Sequence, residues 1–438
     1  MPAMRSDESA GTATAPAPIP AVETTPLPLA PVPTIARLTS IDAYRGLVMF
    51  LMMAEVLNLG RVWSGLETAA RSGAAHVSFG ALTFWNFLAW HQHHIEWVGC
   101  TLHDMIQPSF SFLVGAALPF SIASRRAKGQ SMLRMTLHAA WRAFLLVILG
   151  IFLRSTWKTH TNFTFEDTLS QIGLGYVFLF VLGFFRPRVQ WITLAVILVG
   201  YWLAFALDPI DPNFDYAKVG VKASWLDKYG LTGFAAHWNM NNNPAWRFDT
   251  WFLNLFSPWR DRPFEYNGGG YTTLSFIPTL ATMILGLLAA GVIRRERSST
   301  YKMLWFAVAG VIAMGAAWLL DFAGICPIVK KIWTPSWVLY SGGLCFLILA
   351  LFYWVTDVIR FRVWALPLIV IGMNSIAAYC MAHLFEGFIG DVVKRHLPAS
   401  TFTYFGKPYQ PLVFGACVFL VLWLILLWMY RRKIFLRI

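Results

Sequence analysis

Ten apolar runs, each long enough to cross a bilayer, constrain this chain more than any other feature. They fall at roughly 44–60, 100–123, 136–153, 168–185, 191–207, 271–293, 303–320, 336–356, 365–384 and 411–430. Backbone polar groups in lipid must find their partners within the segment, so such runs become helices. The expected fold is therefore all-α: a polytopic membrane helical bundle of about ten transmembrane helices. Composition excludes the soluble alternative. Charged residues make up 13% of the 438 positions, against about 25% in soluble domains.

Residues 1–36 are rich in Pro, Ala and Thr and lack the continuous apolar core of a signal peptide. They are expected to form a disordered cytoplasmic tail. Residues 37–438 are expected to form the membrane domain, with long outer loops at about 61–99 and 208–270. Of the five cysteines, Cys345, Cys380 and Cys417 lie in apolar runs. Cys100 and Cys326 lie near expected outer edges, the one pair a bridge would join; a disulfide framework is not expected.

Charge gives the orientation. With the N-terminus in the cytoplasm, the inner connections are 125–134, 186–190, 294–302, 358–364 and 431–438. These 39 residues hold 16 of the 35 Lys and Arg. That is the positive-inside pattern, and it places both termini in the cytoplasm. It also accounts for the net charge of +13, so no nucleic-acid partner is needed. The two long outer loops are aromatic: Phe84, Trp85, Phe87 and Trp90 in the first, Trp225, Trp238, Trp246, Trp251 and Trp259 in the second. They suit an interfacial belt, a lid, or a surface on which sugar rings stack.

The stretch HQHHIEWVGCTLHDMIQPSFSFLVG, His91–Gly115, straddles the outer mouth of the second run. An ionisable residue inside a span is a functional hypothesis by default, and Asp104 lies about one turn inside. His94 lies just outside. Ten helical residues would hold the two about 15 Å apart. They meet only if the chain folds back around Gly99. His94 can then serve as general base or as a nucleophile that carries an acyl group, with Asp104 orienting it. The plainer alternative makes His94 interfacial and Asp104 a buried hydrogen bonder. His91, His93, His94 and His103 are close in sequence but match no ligand spacing, and no metal is expected.

Other polar residues sit in or beside spans. Asp42 and Arg45 are three apart and can pair along one helix face. Glu55 and Arg142 each need a partner within the bundle. Asn374 and Ser375 lie mid-span, where interhelical hydrogen bonding is the commonest role. His383 falls toward the same outer side as His94. Gly268, Gly269 and Gly270 suggest a tight turn ahead of the sixth run.

Four segments resemble transmembrane acyltransferases related to heparan-α-glucosaminide N-acetyltransferase, including bacterial members. They are RLTSIDAYRG, HIEWVGCTLHDMIQPSFSFLVG, GGGYTTLSFIPTLATMILGLLAAG, and the stretch from PIVKKIWTPSWVL to GMNSIAAY. In the second, His94, Trp97, Gly99, Thr101, Asp104, Pro108, Phe110 and Gly115 stand at the family's spacing. The resemblance implies transfer of an acetyl group from cytoplasmic acetyl-CoA to an amine or hydroxyl of a sugar on the periplasmic side of a bacterial inner membrane. It maps the family's active-site histidine onto His94, with Asp104 beside it. Arg45, Arg125 and Arg126 are candidates for the polyanionic end of acetyl-CoA, on charge alone. Trp97, Asn374 and His383 are candidates for the acceptor. The partners implied are lipid, acetyl-CoA and a glycan; a homodimer is compatible. The chain departs from the family in three places: Val56 stands where an Asn is usual, Ser170 and Gln171 precede Gly173 in place of Gln-Arg, and Lys330–Lys331 replaces a Lys-Asn pair. A multi-span transporter or flippase is the alternative, although the two halves show no evident repeat.

Overall fold

The structure, a computed structural model, describes residues 38–73, 76–260 and 262–436, all within one compact unit, Arg37–Ile438. The expected tail at 1–36 lies outside the described residues. The main helices are α1 (Thr39–Met53), α2 (Leu59–Arg71), α3 (Phe79–His91), α4 (Ile106–Ala127), α5 (Met132–Ser155), α6 (Thr168–Leu182) and α7 (Pro187–Ala206). They continue as α8 (Phe276–Ile293), α9 (Ser299–Phe322), α10 (Pro335–Phe352), α11 (Leu366–Met373), α12 (Ser375–Leu384) and α13 (Gln410–Arg431). Among the described residues no strand forms; a single antiparallel bridge joins Val98 and Val329.

Eight helical stretches are long and apolar enough to cross a membrane. A ninth arises if the pair Val363–Met373 and Ser375–Leu384, bent by 69° at Asn374, counts as one broken span. α6 is apolar but shorter, at 15 residues. The polytopic helical bundle expected from the apolar runs is thus the fold observed. Two boundaries differ. The first helix begins at Thr39, so Asp42 and Arg45 lie on its first turns and pair at 3.6 Å. The 61–99 segment is mostly helical rather than a loop. α1 passes through a 3₁₀ turn, Ala54–Leu57, and a left-handed Asn58 into α2, and α3 packs back against α2. Amphipathicity explains why the apolar runs did not reveal α2. It buries Val62 and Leu66 while its other face stays polar.

α8 is the hub, packing against α4, α6, α7 and α10. Its contact with α4 is backbone-close. A Cβ at Gly115 would collide with Met283, and one at Gly286 with Phe112. Gly46 and Gly372 do the same for α1 and α11, and Gly310 and Gly343 for α9 and α10. Small residues at crossings let membrane helices gain dispersion contacts where no hydrophobic drive separates them from lipid. The peripheral helices stay apolar outward: α9 leaves Leu304, Val311, Ile312 and Trp318 exposed, as a lipid-facing surface requires.

The 208–270 segment folds into short helices with a core of its own. Trp238, Val219, Val221, Met240 and Ala245 pack with Trp97, Tyr201, Phe205, Val329 and Ile332. This cap stands at one end of the bundle, hereafter the capped end. The connections rich in Lys and Arg stand at the other, the basic end.

Candidate functional site

The segment between α3 and α4 builds the site at the capped end. Gly99, at φ +119°, turns the chain back, and its N–H donates to the Ile328 carbonyl at 3.0 Å. A side chain there would be strained. The turn brings His94 to Asp104, Nδ1 to Oδ1 at 2.8 Å. Asp104 is fully buried and organises its surroundings. Its Oδ2 accepts from the N–H groups of Ile95 at 3.1 Å and Thr101 at 3.0 Å. The Thr101 hydroxyl lies 2.9 Å from the same oxygen and 2.6 Å from the His93 carbonyl.

Lys330 completes the group. Its ammonium sits 3.0 Å from Asp104 Oδ1 and 2.9 Å from His94 Nδ1, and its side chain is 5% exposed. The Val98–Val329 bridge delivers it, and a turn locks it in place. Trp333 takes φ +50°, its N–H donates to the Lys330 carbonyl, and the Thr334 N–H donates to that of Val329. Nδ1 cannot both donate to Asp104 and accept from Lys330. With the carboxylate ionised beside Lys330, the favoured tautomer holds Nδ1–H toward Asp104. The Lys330 contact with the ring is then purely electrostatic, and Nε2 keeps its lone pair. Burial, aided by the Lys330 charge and opposed by Asp104, lowers the His94 pKa below its ordinary value, so the ring is neutral near pH 7. Burial likewise lowers the Lys330 pKa, while Asp104 works against it.

His94 and Lys330 line a cavity of about 160 Å³. Also on its wall are Glu55, His103, Arg154, Glu166, Asp167, Tyr271 and His383. Glu55 Oε1 meets His103 Nε2 at 2.9 Å, and the His103 ring lies 4.6 Å from that of His94. Asp167 caps α6, accepting from Leu169 and Ser170, and its buried Oδ2 has no hydrogen-bond partner. Burial raises the pKa of Glu166 and of Asp167.

A second cavity, of about 460 Å³, lies at the basic end. Arg45, Arg125, Lys128 and Arg142 line it, and among the described residues no carboxylate does, although Asp42 pairs with Arg45. Arg125 contacts His138 at 2.8 Å and donates to Gln130 at 3.2 Å, and Arg142 donates to the Tyr176 hydroxyl at 3.2 Å. Two helices pass from one cavity to the other. α4 gives Ile106 and Gln107 to the first and Phe110 and Val114 to the second. α12 gives Tyr379 and His383 to the first and Ser375 and Ile376 to the second. A step of three residues along each helix, about 4.5 Å, separates the two linings.

The residues singled out by sequence therefore sort as follows. His94, Asp104 and His383 come together at the capped end. Arg45 and Arg125 line the basic cavity. Arg126 does not; it stacks on Phe184 with 5.0 Å to the ring centroid. Trp97 is fully buried in the cap core, its Nε1 donating to the Trp238 carbonyl at 3.1 Å. Asn374 sits at the helix break beside the basic cavity and ties down the C-terminal segment, donating to Ile434 at 3.0 Å and accepting from Leu436 at 3.2 Å. Arg154, Glu166, Asp167 and Tyr271 gave no signal, because charged or polar residues at span ends read as ordinary boundary residues. The five cysteines are free, and no metal-holding group of His, Cys, Asp or Glu occurs among the described residues.

No protein-family model matches the chain. Over 92% of its length it is 23% identical to human heparan-alpha-glucosaminide N-acetyltransferase, and it is 22% identical to the mouse protein over the same share. The chain spans 60% of the length of these curated relatives. The likeness read from the four sequence segments thus extends along nearly the whole chain.

Proposed function

We propose that this chain is a membrane acyltransferase that takes an acetyl group from acetyl-CoA at the basic end and delivers it to an amine or hydroxyl of a sugar at the capped end. The observation that carries the proposal is the placement of the His94–Asp104–Lys330 group about one helical turn beyond a cavity whose charged lining residues, among those described, are all cations. A thioester donor whose nucleotide end carries phosphates suits the basic cavity. Its acyl end, threaded between α4 and α12, would arrive beside His94. The similarity to N-acetyltransferases supports the same reaction class.

Asp104 holds the Nδ1 proton, so Nε2 is the atom that acts. It takes the proton from the acceptor as the amine or hydroxyl attacks the thioester; the new C–N or C–O bond forms, the C–S bond breaks, and CoA leaves as the thiolate, which the imidazolium can protonate. Alternatively, it attacks the thioester itself: the N–C bond forms, the C–S bond breaks, the thiolate leaves, and the acceptor then displaces imidazole from the acyl group. In both routes Lys330 keeps Asp104 ionised and the ring neutral before reaction, while the carboxylate stabilises the positive charge the imidazole acquires. With the basic end in the cytoplasm, as the Lys and Arg distribution favours, the sugar is periplasmic and the membrane a bacterial inner membrane.

The test uses purified wild type and His94→Ala with radiolabelled acetyl-CoA, with and without glucosamine. CoA release by wild type alone is the expected outcome. Label retained on the protein without acceptor selects the relay route over the base route. A cysteine placed in 208–270 should react with an impermeant reagent only from the periplasmic side. A second reading, transport of a small solute, draws on the broken α11–α12 helix, a feature that transporters use at their binding sites. It becomes the better one if neither protein binds or cleaves acetyl-CoA.

A further inference from the structure

One histidine is not enough for the relay route. Once His94 Nε2 carries the acyl group, its Nδ1 proton is still held by Asp104, and no nitrogen of that ring is left to accept a proton. The acceptor that attacks next must give up a proton as its bond forms, so a second base has to stand within reach.

The cavity supplies one. His103 immediately precedes Asp104 and opens the 3₁₀ turn His103–Met105 that leads into α4. Its ring centroid lies 4.6 Å from that of His94, with 51° between the ring planes. Its Nε2 meets Glu55 Oε1 at 2.9 Å, and its Nδ1 has no hydrogen-bond partner among the described residues. With Nε2–H donating to the carboxylate, Nδ1 keeps its lone pair. Glu55 is held in turn by the 3₁₀ turn at the end of α1, where Asn58 donates its N–H to the Glu55 carbonyl at 3.0 Å.

The two histidine–carboxylate pairs are inverted in exposure. The His94 side chain is 43% exposed and its carboxylate is fully buried, whereas the His103 side chain is 7% exposed and its carboxylate 55%. A buried carboxylate fixes a ring that must be aimed. A carboxylate open to water can stabilise a transient imidazolium without itself being a stranded charge. His383, the third histidine on the cavity wall, is held by the Tyr379 carbonyl at 2.9 Å. A carbonyl steadies a ring but brings no charge to offset an imidazolium.

We infer that His103, held by Glu55, is the base of the second step, its Nδ1 taking the acceptor's proton as the acceptor attacks the acyl group on His94. The inference rests on the relay route of the acyltransferase proposal. In this step the new C–N or C–O bond forms, the bond from the acyl carbon to His94 Nε2 breaks, and its electron pair returns to the ring. The His103 imidazolium then gives its Nδ1 proton to the CoA thiolate or to water, and both rings are back in their starting states. His103 is the catalytic residue here, and Glu55 is a positioning residue.

The two steps can be timed apart. Purified protein is mixed with radiolabelled acetyl-CoA alone, and CoA release and label on the protein are followed; glucosamine is then added and the loss of label is timed. Wild type should take up label and lose it promptly to the acceptor. His103→Gln should label at nearly the wild-type rate but lose the label at least about a hundredfold more slowly. Glu55→Gln keeps the hydrogen bond to His103 and removes the charge, on a side chain already open to water, so the fold is undisturbed. It should slow only the second step, by about tenfold. A merely structural role would slow labelling as well, so equal slowing of both steps in Glu55→Gln overturns the assignment, as does unchanged loss of label in His103→Gln. A wild type that releases CoA only with acceptor present, and never holds label, also overturns it and leaves the acyltransferase proposal standing on the base route. A wild type that never cleaves acetyl-CoA overturns the acyltransferase proposal itself, and the role of His103 with it.

Discussion

The two ends of the bundle are built on opposite principles. At the capped end, charges are locked. Asp104 is fully buried, with its oxygens engaged by two backbone N–H groups, Thr101, His94 and Lys330. At the basic end, Arg45, Arg125, Lys128 and Arg142 share a wider cavity with no carboxylate in its lining among the described residues. Buried ion pairs are costly to assemble and hold their geometry once assembled. A cluster in which cations outnumber the described carboxylates, with Arg45 paired to Asp42, is instead a standing attraction for an anion. Under the proposed function the contrast is a division of labour, with one end preorganised for the reaction and the other electrostatically suited to the donor.

The sharpest break in that comparison is His94→Ala. It should lower acetyl transfer by about a thousandfold or more while the protein elutes as a folded species, since it removes the nitrogen proposed to act. Asp104→Asn comes next. Its amide would have to present N–H2 to a site that receives only donors, so turnover should fall about a hundredfold or more and the melting temperature should drop. Thermal unfolding with and without acetyl-CoA separates the two losses.

Lys330→Met should cost less, about tenfold in kcat, and it carries a sign. The Lys330 charge helps hold the His94 pKa down. Activity needs the neutral ring, so wild-type rate should rise with pH through that lowered value and be level by neutrality. Without Lys330 the pKa rises and the acid limb moves to higher pH; Lys330→Arg should bring it partly back. A pH–rate profile checks this, and an unmoved limb would reduce Lys330 to a packing role. At the basic end the effects should be milder and lie in KM. Arg125→Ala should raise KM for acetyl-CoA about three- to tenfold, with kcat nearly constant and the difference shrinking in high salt. Arg126→Ala should change KM by less than about twofold, because Arg126 stacks on Phe184 away from the cavity. Equal effects from the two arginines would mean the basic cavity is not the donor's site.

Much of the fold was legible because its cause is local. An apolar run satisfies its own backbone as a helix, and Asp42 and Arg45 are paired by a three-residue spacing on one helix. The fold-back that joins His94 to Asp104 was legible only as a condition on Gly99, and the structure meets it through a positive φ. α2 was missed as a helix because its apolar face is a narrow stripe rather than a run.

By itself, then, the sequence determined a helical membrane bundle, a charge asymmetry between its ends, and a histidine and an aspartate close enough to meet. Only the tertiary structure decided that Lys330, 226 residues from Asp104 along the chain, completes their group. It also decided that Glu166 and Asp167 face His94 across a cavity, and that Asn374 and Trp97 lie outside that cavity's lining. The physical reason is range. Helix formation and i,i+3 pairing depend on neighbours in the chain, whereas a cavity is the space left where helices from distant parts of the chain cross. Glycine contacts such as Gly115 with Met283 set how closely they do so.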